Sequence, residues 1–315
     1  MNKTTKSGKE ISKIGIGTYG IGGRGHRDVE LTEIQNDQVY IDAIAYSLNQ
    51  GLNFGEISAG YGHGNALRLY QLGLDQSNVK REDVFLTNSL YPRDLVDIDV
   101  LKNDINLFYE TFKTDYADST LITQSIVTKF GQTVIFQYLH DLLEQNKTRF
   151  VSVSNCGPEF TKTFKAEFSD SVFAHEGHLS FEVRALQDKG VFKLCDELGI
   201  LNIIWRPLRR NMSERFQWPL LKQLADKYGK TQNQIILNWI CHLSYHPMVM
   251  SANIEHINEN IASIQFEMTP QDYDLINNFR PEDYYPPQVD WEKTGQGDSI
   301  ITLVSDFEKH IRPLK

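Results

Sequence analysis

Asn53-Phe54-Gly55-Glu56-Ile57-Ser58-Ala59-Gly60-Tyr61-Gly62-His63-Gly64 is the stretch from which the fold can be read. A short strand runs out of Gly51-Leu52-Asn53-Phe54 and stops at a carboxylate, Glu56. A glycine-punctuated loop follows, carrying the phenol of Tyr61 and the imidazole of His63, and a helix opens at Asn65. In a barrel of parallel strands, the groups at strand C-termini and in the loops that follow them build the active site. On that reading Glu56, Tyr61 and His63 stand together at the mouth. The same stretch also reads as a surface turn with incidental polar residues, and taken alone it supports both equally.

Working outward, strand-like runs stand at residues 14–17, 54–56, 84–87, 117–123, 150–154, 172–175, 201–205 and 248–251. Helix-like runs alternate with them at 37–50, 65–73, 99–112, 133–145, 186–198, 220–228, 232–242 and 254–263. Val39, Ala43, Tyr46 and Leu48 keep near-helical spacing in the first helix. Pro158 suits the first turn of a helix after the fifth strand, and Gly199 a helix C-cap. The strand runs are rich in Val, Ile, Leu and Phe, as in a sheet buried on both faces. Eight strand–helix units without a break in composition predict an α/β fold, a (β/α)8 TIM barrel, as a single domain over residues 1–280. The competing doubly wound sheet lacks its fingerprint: Gly20, Gly22, Gly23 and Gly25 lead into a polar segment and not directly into a helix. Pro281, Pro286 and Pro287 end the pattern, and residues 281–315, with Trp291 and a possible last helix at 300–310, form a C-terminal extension that could fold over the barrel as a lid.

The 315 residues carry a net charge of −9, which argues against nucleic acid and acidic membrane surfaces as partners and leaves a small molecule. No apolar run is long enough to span a bilayer, and the polar N-terminus lacks a signal-peptide core. Cys156, Cys195 and Cys241 are odd in number and far apart, the pattern of reduced thiols in a cytoplasmic protein. His175-Glu176-Gly177-His178 offers no third ligand at fixed spacing, so no metal is expected. Trp205 and Trp239 read as core, and Cys156 as an inert thiol. Nothing in the sequence sets the oligomeric state.

In chain order, Ile14-Gly15-Ile16-Gly17-Thr18-Tyr19, Gly51-Leu52-Asn53-Phe54 through Tyr61-Gly62, Arg81-Glu82-Asp83-Val84-Phe85-Leu86, Lys113-Thr114-Asp115-Tyr116-Ala117-Asp118, Val151-Ser152-Val153-Ser154-Asn155, Pro207-Leu208 and Glu259-Asn260 resemble the aldo-keto reductase family. The resemblance covers about residues 8–280. It implies a barrel that reduces carbonyls with NADPH. The family's tyrosine acts as general acid, activated by a lysine paired to an aspartate, while a histidine orients the substrate. At those positions this chain carries Tyr61, with Glu56 for the aspartate, Asn88 for the lysine and Thr123 for the histidine; His63 follows Tyr61 at the mouth. For the dinucleotide, the resemblance points to Thr18 in the opening strand, to Ser154 and Asn155 on the nicotinamide amide, to His175 in place of a glutamine, to His178 in place of the stacking aromatic, and to Arg206 in place of the serine before Pro207-Leu208. Around the eighth strand it points to Ser251, with Met250, Ala252 and His256 where basic residues grip the 2′-phosphate, and to Glu259 and Asn260.

These departures have a physical reading. A phenol titrates near pKa 10 and needs an adjacent ammonium to approach neutrality, whereas a carboxylate pushes it the other way. A well-placed acid contributes roughly 10²–10⁴-fold, so a tyrosine without its lysine implies slowed or altered chemistry. Phosphate recognition leans on Arg or Lys, and one histidine is a poor substitute. The expectation is thus an oxidoreductase acting on a small carbonyl or sugar-like substrate, with NADP or NAD as cofactor. Two alternatives stay open. One is a non-redox lyase, isomerase or hydrolase that uses Glu56 with the mouth histidines and binds an anion on Arg206, Arg209 and Arg210. The other is a non-catalytic binding barrel.

Overall fold

The computed structural model describes residues 10–25, 30–90, 97–211, 213–214 and 218–280. Eight parallel strands close into a barrel in sequence order. They are β1 (Gly15–Gly17), β2 (Phe54–Ile57), β3 (Phe85–Ser89), β4 (Ala117–Thr123), β5 (Thr148–Ser154), β6 (Val172–His178), β7 (Leu201–Trp205) and β8 (His246–Val249). Closure is the pairing of β8 back onto β1, with Ile16 opposite Val249. The helices between them are α1 (Asp37–Asn49), α2 (Asn65–Gln76), α3 (Ile98–Phe112), α4 (Gln124–Phe130), α5 (Gln132–Glu144), α6 (Pro158–Phe168), α7 (Ala185–Asp188), α8 (Val191–Glu197), α9 (Pro219–Tyr228), α10 (Gln232–His242), α11 (Ile254–Ala262) and α12 (Pro270–Asn278). The (β/α)8 expectation therefore holds, and no described helix is long and apolar enough to cross a membrane.

The end of the barrel away from the strand C-termini is filled by aromatic rings. Phe85 stacks on Phe173 at 4.2 Å between centroids, and Phe150 lies 5.6 Å from Phe173. Ile11, Phe54, Leu201, Ile203 and Met248 complete this plug. Above it the inward positions turn polar, beginning with the Ser119–Ser152 hydroxyl pair at 2.8 Å. Burying such a plug removes large apolar rings from water and leaves only the upper end of the lumen open to a ligand. Larger clusters of buried side chains pack the helices against the outer face of the strands.

Local chemistry accounts for the places where elements depart from expectation. The single helix expected at 186–198 is two: Gly190, at φ 71°, divides α7 from α8. β8 begins two residues earlier than expected because Pro247 is accommodated inside it, which a pattern reading takes for a breaker. Two helices, α4 and α12, had no counterpart in the reading; each opens with a threonine side chain, Thr123 or Thr269, accepting a backbone N–H. Residues 281–315, including the expected last helix and Trp291, lie outside the described residues.

Two features of the sheet aim the side chains of the mouth. On β3 the pleat alternates: Thr87 pairs with Glu56 and Ser89 with Leu121, all on the inner face, while Asn88 pairs with Ile57 and faces the helices. On β6 a bulge lets four residues, 172 to 175, span the distance covered by three, 151 to 153, on β5. The extra residue reverses the phase of the strand. Phe173 and Ala174 both enter the plug, and above them Glu176 and His178 face inward while His175 faces out toward Phe192 of α8. Gly177, on that outer side, has no room for a Cβ, which would stand 2.5 Å from Phe192.

Candidate active site

A cavity of about 430 Å³ opens at the C-terminal end of the strands. Its floor is made by Glu56, Ser89, Leu121, Glu176 and Met248, and its sides by Thr18, Tyr19, Tyr61, Thr123, Ser154, Asn155 and Trp205. The rim carries Arg24, Arg206, Pro207, Leu208 and Arg210, with Arg209 buried behind them.

The phenol of Tyr61 donates to Glu56 Oε1 at 2.9 Å, and Ser89 also hydrogen-bonds that carboxyl. Thr18 fixes the strand carrying Glu56 by donating its hydroxyl to the Glu56 carbonyl at 2.8 Å. Burial pushes the Glu56 carboxyl up to about 7, against the opposing pull of the bonds from Ser89 and Tyr61. Glu176 reaches the same cavity from the opposite wall. Burial, then the neighbouring charge of Glu56, raises its carboxyl well above the ordinary range. The ring of Tyr19 meets Tyr61 edge-on at 5.3 Å and closes one side of the phenol.

Asn155 and Trp205 form the facing wall. Trp205 Nε1 donates to Asn155 Oδ1 at 3.0 Å, and Asn155 Nδ2 donates to Ser154 Oγ at 3.1 Å. Asn155 adopts φ 53°, a conformation that asparagine tolerates better than most residues, and its N–H donates to the Glu176 carbonyl. His178 stacks under Trp205 at 4.5 Å. Burial, then the charges of Arg206 and Arg209, hold His178 neutral.

The loop after β7 is strained, with Arg206, Arg209, Arg210 and Asn211 all at positive φ. A buried ion pair holds it: Arg209 is 0% exposed and lies 3.2 Å from Glu182, which also accepts from Ser213 at 2.9 Å and from Trp218 Nε1 at 2.8 Å. On the rim, Glu33 joins Arg24, at 3.1 Å, to Arg210.

Several expected site residues are not where the sequence put them. Asn88 is buried against the helices and does not line the cavity; Ser89 is the β3 side chain that meets Glu56. His63, at φ 57° in the turn before α2, is exposed and outside the cavity. His175 is turned outward by the β6 bulge, with its Nε2 at the backbone of Cys156. Burial lowers it to about 4 and keeps it neutral. Trp205, expected in the core, is a wall of the cavity. Thr123 does reach the cavity, where its hydroxyl pairs with Ser125 at 2.7 Å and caps α4. Around β8, Met250 reaches both the cavity and a narrow cleft that Ser251 and Asn260 line with it. Ser251 donates to the Asn253 carbonyl, His256 is exposed, and Glu259 is half-buried with its carbonyl held by Gln234. Among the described residues, no three His, Cys, Asp or Glu side chains come together as a metal site.

The missed residues had a signal. Counting by two along β3 from Thr87 reaches Ser89, and the strand-end position of Trp205 places it at the mouth. Only the bulge in β6, which decides between His175 and Glu176, leaves no trace in the pattern.

The sequence profile of the aldo/keto reductase family matches residues 13–280. An uncharacterised oxidoreductase of Caenorhabditis elegans is 27% identical, over 86% of this chain and 78% of that protein. The NADPH-dependent alpha-keto amide reductase of Saccharomyces cerevisiae is 24% identical over 92% of this chain and 94% of its own length. An aldo-keto reductase from Klebsiella pneumoniae, solved in complex with NADPH, shares the fold with a TM-score of 0.71 at 17% identity, over 91% of this chain and 97% of that one. With a profile match over most of its length and the matching barrel, the chain belongs to the aldo/keto reductase family.

Proposed function

We propose that this protein is a nicotinamide-dependent reductase of small carbonyl compounds in which Tyr61 hands the proton to the carbonyl oxygen and Glu56 reloads Tyr61. The observation that carries the reading is the Tyr61–Glu56 hydrogen bond at the floor of the cavity, beside Trp205 and the Ser154–Asn155 pair. The residues fit the nicotinamide end of a dinucleotide: a flat indole wall for the ring and side-chain amide and hydroxyl groups for its carboxamide. Trp205, and not His178, is the aromatic surface open to the cavity. Arg24, Arg206 and Arg210 supply positive charge at the rim for a diphosphate. The fit to a 2′-phosphate is poor. No Lys or Arg stands between Met250 and Asn260, the Ser251 hydroxyl is already used, and Glu255 occupies the first turn of α11.

When bound, the dinucleotide supplies a hydride to the carbonyl carbon. The chain's own task is the proton. In its neutral form the Glu56 carboxyl can donate to the phenol oxygen while the phenol hydrogen passes to the substrate, so two ordinary acids in series replace one activated acid. The non-redox alternative loses its partners, since His63 and His175 are outside the cavity and His178 is kept neutral under Trp205. Three buried free thiols suit a reducing compartment such as the cytoplasm.

Thermal unfolding with NADH and with NADPH tests the cofactor, since a ligand of the native state raises its melting temperature. Both are expected to stabilise, NADH at least as strongly. Oxidation of the bound dinucleotide by glyoxal or a short 2-keto amide tests the reaction, with Tyr61→Phe expected to lower turnover by roughly 10² or more. No shift with either dinucleotide, or turnover unchanged in the phenylalanine variant, would refute the assignment.

A further inference from the structure

We propose that the space between Glu56 and Glu176 is a cation subsite that takes the ammonium group of an amino-carbonyl substrate. Glu56 stands on β2 and Glu176 on β6, four strands apart in a ring of eight, so the two face each other across the lumen. Both line the cavity floor. Glu176 is only 4% exposed, and among the described residues its Oε1 has no hydrogen-bond partner. A buried carboxylate oxygen left unsatisfied is costly, and an ammonium group with three donors is the ligand that best satisfies two facing carboxylates. Ser89 adds a hydroxyl at the same height.

Among the described residues neither carboxyl takes part in an ion pair, and three arginines near the cavity have other partners: Arg24 and Arg210 hold Glu33, and Arg209 holds Glu182. In the family this chain resembles, a lysine paired to the acid beside the tyrosine activates the phenol. Here β3 offers only the short side chain of Ser89. A substrate carrying its own ammonium would restore that charge next to Tyr61, whose hydroxyl is bonded to Glu56 directly.

The consequence for turnover rests on the reductase reading above; the binding claim does not. In the reaction the carbonyl carbon gains the hydride, the dihydronicotinamide is oxidised, and the carbonyl π pair moves onto oxygen, which takes the Tyr61 proton. The ammonium leaves unchanged on the product.

Two measurements test the proposal separately. In calorimetry, methylammonium chloride is expected to bind the full-length protein with release of protons from the carboxyl pair, and to bind at least tenfold more weakly to Glu176→Gln. Ser89→Lys, which tethers an ammonium in the same space, should abolish the binding as well and serves if the glutamine variant fails to fold. No methylammonium binding, or equal binding by both variants, overturns the subsite; equal binding of sodium assigns it to an inorganic cation and overturns the ammonium reading. In steady-state turnover, aminoacetaldehyde is expected to exceed glycolaldehyde at least tenfold in kcat/KM, and Glu176→Gln to remove that preference. A preference that is absent in the wild type, or kept in the variant, overturns the catalytic half. If neither aldehyde is reduced, the reductase reading fails while calorimetry still decides the subsite.

Discussion

At the scale of single residues, β3 shows how one position changes the chemistry. Asn88 and Ser89 are adjacent in sequence but lie on opposite faces of the strand. The motif there, Val84-Phe85-Leu86-Thr87-Asn88-Ser89, reveals a strand but not which of its last two residues turns inward; only the pairing of Thr87 with Glu56 fixes that. Lysine substitutions should therefore behave in opposite ways. Ser89→Lys places an ammonium beside Glu56 and Tyr61 and is expected to increase turnover of a neutral aldehyde about tenfold or more, within the range for a restored acid–base partner. Asn88→Lys buries a charge against the helices, where removing an ion from water costs several kcal/mol. It is expected to lower stability in urea titration without raising turnover. A rate gain in Asn88→Lys and none in Ser89→Lys would reverse the assignment. The pH profile reads the same pair. Glu56 titrates at about 7, and the proposed relay is loaded only while its carboxyl is protonated. Reduction of a neutral aldehyde is thus expected to fall as pH rises through 7, by about tenfold per unit at the alkaline limit. A rate that is flat from pH 6 to pH 9 would remove Glu56 from the proton path.

At the scale of elements, the barrel was legible because eight buried strands leave runs of Val, Ile, Leu and Phe, and because polar turns punctuate them. Its local irregularities were not, since the bulge in β6 and the contorted loop after β7 arise from tertiary contacts. That loop illustrates the point. Four positive φ values among Arg206, Arg209, Arg210 and Asn211 are unfavourable for side chains with a Cβ, and each costs on the order of 1–3 kcal/mol. What holds them is a polar anchor far away in sequence: Glu182, with Arg209, Ser213 and Trp218 gathered on its carboxylate. The sequence reading took Arg206 to Arg210 for a basic loop facing solvent or an anion. The structure divides the set, with Arg209 spent inside as an anchor and Arg206 and Arg210 left on the rim. Removing one partner of a buried ion pair strands the other charge, at about 3 kcal/mol or more. Glu182→Ala is expected to lose that much in urea titration and to weaken dinucleotide binding through the displaced rim arginines. A variant as stable as the wild type would mean that the anchor contributes nothing to the loop.

At the scale of the whole molecule, the cavity groups set how stability responds to pH. Glu56 titrates at about 7 against an ordinary 4.5, and Glu176 is shifted in the same direction. Between pH 4.5 and 7 the folded Glu56 therefore holds a proton that the unfolded chain has released, and the stability it contributes below 4.5 is lost as pH rises through 7; Glu176 acts in the same sense. His175 acts in the opposite sense: lowered to about 4 from 6.5 by burial, it contributes stability above 6.5 that is lost as pH falls toward 4. The two slopes oppose each other, so the wild-type profile alone is uninformative and a difference measurement is needed. Glu176→Gln removes one raised carboxyl and relieves the other, and leaves His175 as it was. Each unit of pKa shift is worth about 1.4 kcal/mol, so the stability of the variant relative to the wild type is expected to grow by about that amount or more between pH 5 and pH 8. Urea titrations at those two pH values measure it. Because an ammonium seated between the carboxylates relieves the same repulsion, methylammonium should narrow the gap at pH 8 by stabilising the wild type alone. A difference that does not change with pH would mean that the two carboxyls do not meet across the lumen, and the relay and the cation subsite would then lack the charge pair on which both depend.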